Sequence, residues 1–319
     1  MDKRICVVGA GYWGKNHIRT LNEIGALNGI VESNGKNLAS LSAQYPNIPC
    51  YSNISLALKE HFDGFTIATP PETHYSIAKK IIMAGKHVLI EKPMTLSVLD
   101  SENLLSLAKE FDVNIMVGHV LLFHPAVIKI KEIIKNGYIG DLQYLYSNRL
   151  NLGKVRTEEN VFWSLAPHDI AIFQYLTDSF PKDIKCKGSI FLQPGIPDST
   201  MTNLEYENGI EGHIFVSWLH PFKEHRLVVI GSEAMISFED SLDGKPLKLY
   251  SKKFNFTSGV PEKVDGPVQS IPYEQKMPLT EELRYFINHL NKKKPMISNG
   301  EQGLDVMKIL VKASSQIRS

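Results

Sequence analysis

Short apolar runs alternate with amphipathic stretches over the first third of the chain. Arg4–Val8, Leu27–Glu32, Gly64–Ala68, His87–Glu91 and Asn114–Val117 read as buried strands. Helices are predicted between them at about Trp13–Ile24, Asn37–Tyr45, Ile54–Glu60, His74–Ala84 and Ser97–Phe111. Strands separated by helices of about 10–15 residues imply right-handed βαβ units and a parallel sheet. The pattern changes near Gly118. After a helix at about Pro125–Lys135 come strand-like runs at Leu142–Leu150, Ile184–Leu192, Thr200–Glu207, Glu211–Trp218, His225–Ile230, Met235–Glu239 and Leu247–Tyr250. One helix, about His168–Leu176, interrupts them, so an antiparallel or mixed sheet is expected. Lys252–Pro272, rich in Gly, Pro and polar residues, is predicted to be a long surface loop. Helices at about Thr280–Asn291 and Gln302–Ile317 close the chain. The change of pattern divides it into domains 1–118 and 119–319.

Composition adds mostly exclusions. The 319 residues carry 35 basic and 34 acidic side chains, a net charge of +1, so no bulk pull toward nucleic acid or membrane follows. Cys6, Cys50 and Cys186 are odd in number and far apart, which argues against a disulfide framework or zinc site and fits a reducing compartment. No signal-peptide pattern opens the chain and no long apolar run crosses it, so a cytoplasmic location is expected.

The stretch Val7–His17, VVGAGYWGKNH, contains Gly9, Gly11 and Gly14 in the order G-x-G-x-x-G. It follows a strand, opens a helix, and is answered by Glu32 at the end of the next strand, 23 positions after Gly9. Such a turn brings backbone N–H groups and a helix N-terminus to a diphosphate. Glu32 then accepts from ribose hydroxyls and repels a 2′-phosphate, favouring NAD over NADP, although nearby Lys36 leaves NADP open. Tyr12 and Trp13 sit inside the turn. They either reach toward the substrate cleft or pack the helix on the sheet.

Thr69-Pro70-Pro71-Glu72-Thr73-His74 and Glu91-Lys92-Pro93 end two further parallel strands. Ligands of open α/β sheets bind outside these carboxyl ends. Lys92 follows the apolar run HVLI, with Glu91 between them. It is either a proton-exchanging lysine of the cleft or a structural lysine, paired with Glu91 or capping a helix. His119 and His124 are five apart with no H-E-x-x-H and no local carboxylates, so no metal site is expected.

Taken together, GAGYWG, ATPPETH, EKP, GHVLLFHPAV and the tail PLTEELRYFINHL…PMISNGEQGLDVMKIL resemble the Gfo/Idh/MocA oxidoreductases over nearly the whole chain. The resemblance implies an N-terminal Rossmann doubly wound parallel sheet and a C-terminal α+β domain with a large, open, mostly antiparallel sheet. It also implies a nicotinamide cofactor, hydride transfer at a sugar or polyol carbon, and homodimers or homotetramers built on the open sheet. By the same resemblance Lys92 bonds the reacting hydroxyl and Pro93 follows a cis bond. Glu91 lies beside the nicotinamide end, and Thr69, Pro70, Pro71 and His74 line the cofactor. His168 matches the family's catalytic histidine, but Ser164 stands where an Asp is expected four residues earlier. With Pro167 at the first position of a helix, His168 falls in the first turn, where the macrodipole disfavours the imidazolium. Asp169 is expected to stabilise that helix N-terminus.

The segment NRLNLGKVRTEENVFWSLAPHD resembles the branch that acts on nucleotide-linked amino sugars, UDP-N-acetylglucosamine 3-dehydrogenases and their uronate relatives. Asn148, Arg149, Asn151, Lys154 and Arg156 then serve as candidates to hold a diphosphate or a uronate carboxylate, or else form a basic surface loop. His119, Phe123 and His124, at the domain junction, are candidate sugar contacts, with Ser164 and Asp169 beside the catalytic helix. The alternatives are a 3-ketosugar reductase, an inositol or polyol dehydrogenase, or a cofactor-binding regulator without turnover. The Lys92 and His168 combination argues against the last.

Overall fold

The computed structural model describes residues 3–153, 155–257, 259–291 and 293–317. They form two compact units. The first runs to Phe123 and takes up Lys276–Lys308 again; the second comprises His124–Gln275 and the chain from Ile309.

The first unit alternates as the apolar runs imply: β1 (Ile5–Val8), α1 (Gly14–Glu23), β2 (Leu27–Val31), α2 (Gly35–Gln44), β3 (Cys50–Tyr51), α3 (Ile54–Ala57), β4 (Gly64–Ile67), α4 (His74–Met83), β5 (His87–Glu91), α5 (Val98–Glu110) and β6 (Ile115–Gly118). Side chains from β1, β4, β5 and β6 are fully buried, as strands covered on both faces require. All pairs are parallel, in the order β3-β2-β1-β4-β5-β6. This is the doubly wound arrangement whose strand order reverses between β1 and β4, where nucleotides bind. Asn34 caps α2 by accepting from the N–H groups of Lys36 and Asn37, so that helix starts two residues before the expected Asn37. A 3-10 turn, Val120–Phe123, ends the first pass of the chain through this unit.

The second unit holds α6 (Pro125–Lys135), β7 (Leu142–Leu150), α7 (Val161–Thr177), β8 (Pro181–Ser189), β9 (Ser199–Tyr206), β10 (Glu211–Ser217), β11 (Glu224–Gly231), β12 (Met235–Glu239), β13 (Leu247–Thr257) and β14 (Val260–Ser270). Its eight-stranded sheet runs β14-β13-β12-β11-β7-β10-β9-β8 and is antiparallel except for β7 with β10. α7 packs on β7, β9 and β10. The chain then re-enters the first unit with α8 (Pro278–Asn288), and α9 (Gly300–Ser314) follows.

Two expectations are corrected. Lys252–Pro272 is not a loop: β13 and β14 pair from Lys248–Ser270 to Thr257–Val260. β14 is exposed along almost its whole length, so it shows no apolar alternation to read. As an edge strand it tolerates Pro261 and Pro267. Gly266 permits the register shift near Ser251, since a Cβ there would lie 2.0 Å from the Ser251 carbonyl oxygen. The helix expected from His168 begins instead at Val161, where the Asn160 side chain accepts from the Trp163 N–H at 3.1 Å. Pro167 is therefore inside α7, and its missing N–H had pointed to a helix start that is not there.

Candidate active site

At the end of β1, Gly9 has φ +92°, a left-handed conformation that favours glycine. A Cβ on it would lie 2.8 Å from the Ala68 carbonyl oxygen, and one on Gly14 only 2.0 Å from the Gly9 carbonyl oxygen. Gly9 thus lets the ends of β1 and β4 meet, and Gly14 seats α1 against the turn. Gly11 differs: a Cβ there would meet nothing within 4 Å, which leaves room beside the helix N-terminus. Glu32, at the end of β2, is buried and accepts from the Ala10 N–H at 3.1 Å and the Asn34 N–H at 2.7 Å. Each carboxylate oxygen keeps a second lone pair for a ribose hydroxyl. A turn of backbone donors, a helix N-terminus, open space at Gly11 and an anchored acid fit a dinucleotide.

The aromatic pair in the turn divides its roles. Tyr12 is 91% exposed. The Trp13 indole N–H donates to Glu91 Oε1, and His17 Nε2 reaches the same oxygen at 2.8 Å. Trp13 and His17 are four apart and so share a face at the start of α1. Glu91 Oε2 accepts from the Lys92 backbone N–H at 3.2 Å. Burial pushes the Glu91 carboxyl up, but the bonds and charge of His17, then Trp13 and the Lys92 amide, outweigh it and hold the group below its ordinary value. Gly118 makes space for this carboxylate, since a Cβ there would lie 2.8 Å from it. His17 and Gly118 are members of the arrangement that motif reading missed; the spacing from Trp13 was the available signal for His17.

Lys92 is half-buried at the end of β5, and the Lys92–Pro93 peptide is cis. His74 ties this segment to the loop after β4: its ring nitrogens lie 2.9 Å from the Pro93 and Thr69 carbonyl oxygens. Two carbonyls call for two N–H donors, which only the imidazolium supplies. Burial acts against that and prevails, leaving the His74 pKa below its ordinary value. The Thr69 and Thr73 hydroxyls are 2.7 Å apart, and Thr73 closes the loop by donating to the Pro70 carbonyl. Pro71 opens a 3-10 turn. His119 is buried just before the next turn, and burial pushes its pKa down to about 4. Phe123 is buried with its ring 5.3 Å from that of Tyr285.

In the second unit, Arg149 and Asp169 form a buried two-pronged pair, Nε to Oδ2 at 2.8 Å and Nη2 to Oδ1 at 2.9 Å. Asp169 therefore does not serve the start of α7, which lies eight residues earlier at Val161. His168 likewise lies beyond the first turn, where the macrodipole has faded, so its charge state has no support from that source. Ser164 precedes His168 by one helical turn on α7 and is buried. His225 Nδ1 lies 3.4 Å from the Arg149 guanidinium; burial, then that charge, pushes its pKa down to about 3. Arg156 is half-exposed and pairs with Glu159 at 3.1 Å, while Asn151 is tied to Ser217 through its backbone N–H. Lys154 lies outside the described residues. His124 caps α6, its Nδ1 accepting from the Ala126 N–H at 3.2 Å.

Two family models match the chain. One, described as an oxidoreductase family with an NAD-binding Rossmann fold, covers residues 3–119, and the other, the GFO/IDH/MocA C-terminal domain, covers residues 127–237. The chain belongs to the Gfo/Idh/MocA oxidoreductases. It is an oxidoreductase, and its cofactor is NAD. UDP-N-acetylglucosamine 3-dehydrogenase of Acidithiobacillus ferrooxidans is 25% identical over 308 residues, which are 95% of this chain and 94% of that one. A solved structure of that enzyme matches with a TM-score of 0.87 at 23% identity, covering 99% of this chain and 98% of that one, and so shares the fold. The scyllo-inositol 2-dehydrogenase of Bacillus subtilis is 29% identical over 54% of each chain. Among the described residues no helix is long and apolar enough to cross a membrane.

Proposed function

We propose that this family member removes a hydride from a sugar carbinol carbon, C3 of a UDP-N-acetylhexosamine or its uronate, and delivers it to NAD. The observation that carries the reading is the setting of Lys92. It follows directly on Glu91, which is bonded to Trp13 of the glycine turn, and it precedes the His74-anchored Pro93. A cation there stands beside the cofactor turn. Bound NAD supplies the hydride acceptor. Lys92 holds the carbinol oxygen by a charge-assisted hydrogen bond, and with His168 it manages the hydroxyl proton. Glu32 selects NAD because its carboxylate repels a 2′-phosphate.

The sugar-nucleotide substrate is supported by similarity along 95% of the chain to an enzyme of that name. In this reading Arg156, Lys154 and Asn151 hold the substrate anion. Arg149, already committed to Asp169, shapes the site from behind, and Ser164 takes the place of the family's Asp. The inositol-type relative, similar over about half its length, favours polyol oxidation as the second reading. Assembly as a homodimer or homotetramer uses the eight-stranded sheet, whose Tyr144, Tyr146 and His213 form a partly exposed aromatic row. The free cysteines fit a cytoplasmic setting. The test is reduced-nicotinamide absorbance with a panel of UDP-sugars and polyols. Turnover of UDP-N-acetylhexosamines above all polyols is expected, and turnover of polyols alone would replace this reading with the second.

A further inference from the structure

Helix α8 brings into the first unit an acid for which the proposed reaction has no use. Glu282 is fully buried, and neither of its oxygens has a hydrogen-bond partner among the described residues. α8 packs on α1 and on the 3-10 turn that follows His119. α1 contributes His17, fully buried, with Nδ1 unmatched among the described residues. The segment before the turn contributes His119, with both ring nitrogens unmatched there. The end of β5 contributes Glu91, whose charge acts on both Glu282 and His119, and Lys92. On α8 itself, Glu281 and Arg284 pair with each other at the surface.

Two buried carboxyl groups that feel each other do not both ionise. Glu91 collects an indole, an imidazole and an amide, whereas Glu282 collects no donor among the described residues. An ionised group without donors is too costly to bury. The charge therefore belongs on Glu91. Burial, followed by the charge of Glu91, raises the Glu282 carboxyl well above the usual carboxylate range.

We propose that Glu282 is a positioning residue held as a neutral acid, so that the Glu91–Glu282 pair carries one negative charge, kept on Glu91 next to Lys92. Loss of the Glu282 proton places a second charge there, which strengthens the hold on a Lys92 proton and slows its exchange. The effect on Lys92 rests on the proposed function; the charge state of the pair does not.

The sign of the stability effect follows from linkage. The unfolded chain ionises Glu282 near its ordinary pKa of about 4.3, while the folded chain keeps the proton, so stability falls as pH rises above that value. Glu282→Gln removes this slope. We expect the variant to melt above wild type at about pH 8 and level with it at about pH 4. The same offset at both values overturns the proposal. Infrared spectra of the wild-type protein with isotope-labelled glutamate should show a protonated-carboxyl band at neutral pH that E282Q lacks. Its absence from wild type overturns the proposal even where the variant fails to fold. Where wild-type kcat falls on the alkaline side as the infrared band is lost, E282Q should hold its rate, and a variant profile that falls in step with wild type removes the link to Lys92. Melting and infrared readings need no turnover, so a protein that oxidises no sugar but keeps the band refutes the proposed function and leaves the charge assignment standing.

Discussion

Each unit places a buried carboxylate beside a residue assigned to proton handling, Glu91 before Lys92 and Asp169 after His168. The first accepts from Trp13, His17 and the Lys92 amide; the second is gripped by both prongs of Arg149. Each also has a histidine with a depressed pKa within its field, buried His119 for Glu91 and half-buried His225 for the Arg149 pair. The difference is one of compensation. A guanidinium cancels the charge of Asp169 and makes the pair a clamp between β7 and α7. No guanidinium meets Glu91 among its described donors; an indole, an imidazole and a backbone amide share it instead, and the lysine follows it directly in the chain. Chain neighbours of similar look thus do different work.

The largest effect expected is on turnover. Lys92→Ala should lower kcat by roughly 10²–10⁴-fold, the usual worth of a positioned acid–base group. NAD affinity, read by fluorescence titration, should stay within about twofold. A loss in NAD affinity that matches the loss in rate would make the lysine a cofactor ligand and undo the contrast.

Next come the two acids. Asp169→Ala strands a buried guanidinium and should cost roughly 3–5 kcal/mol in urea unfolding, while an apolar replacement of both Asp169 and Arg149 recovers most of it. Glu91→Gln keeps the shape and an acceptor. It should cost less stability, about 1–3 kcal/mol, but slow turnover. Equal destabilisation by the two changes would show that both acids are clamps.

Buried His119 sharpens the comparison through pH. His119 is neutral in the folded protein down to about 4, while the unfolded chain takes up its proton near 6.5. The unfolded state binds more protons in that window, so stability is fully present above it and falls as pH drops through it. The term is worth roughly 3 kcal/mol. His119→Phe should flatten this part of the stability profile; an unchanged slope would mean that His119 is not buried neutral.

The smallest effect expected is at the adenosine end. Glu32→Ala should weaken NAD about tenfold and narrow its advantage over NADP, consistent with loss of a charged hydrogen bond. A greater loss for NADP, read by the same titration, would reverse the assigned preference.

Much of the first unit is legible along the chain because its signals are local. A fully apolar run of four or five residues with a glycine turn behind it states both the strand and the direction of the next helix. The Gly9–Gly14 spacing carries the backbone geometry because left-handed φ and close approach are properties of single residues. The second unit is harder. Pro167 looks like a helix start and lies inside α7, since the capping side chain, Asn160, has no apolar periodicity to announce it. The β13–β14 hairpin was hidden for a similar reason: a strand exposed on both faces has no alternation.

The proton-handling surroundings show the same division more sharply. Motif and spacing suffice for the alternating strands and helices, the acid at Glu32 and the lysine after Glu91, because each is marked by a strand end, a turn or a fixed spacing along the chain. Which acid keeps its charge depends on donors 74 and 78 positions from Glu91, and on a guanidinium 20 positions from Asp169. Those distances in sequence carry no periodic signal. Only folding brings the groups within about 3 Å, where burial and pairing set the charge.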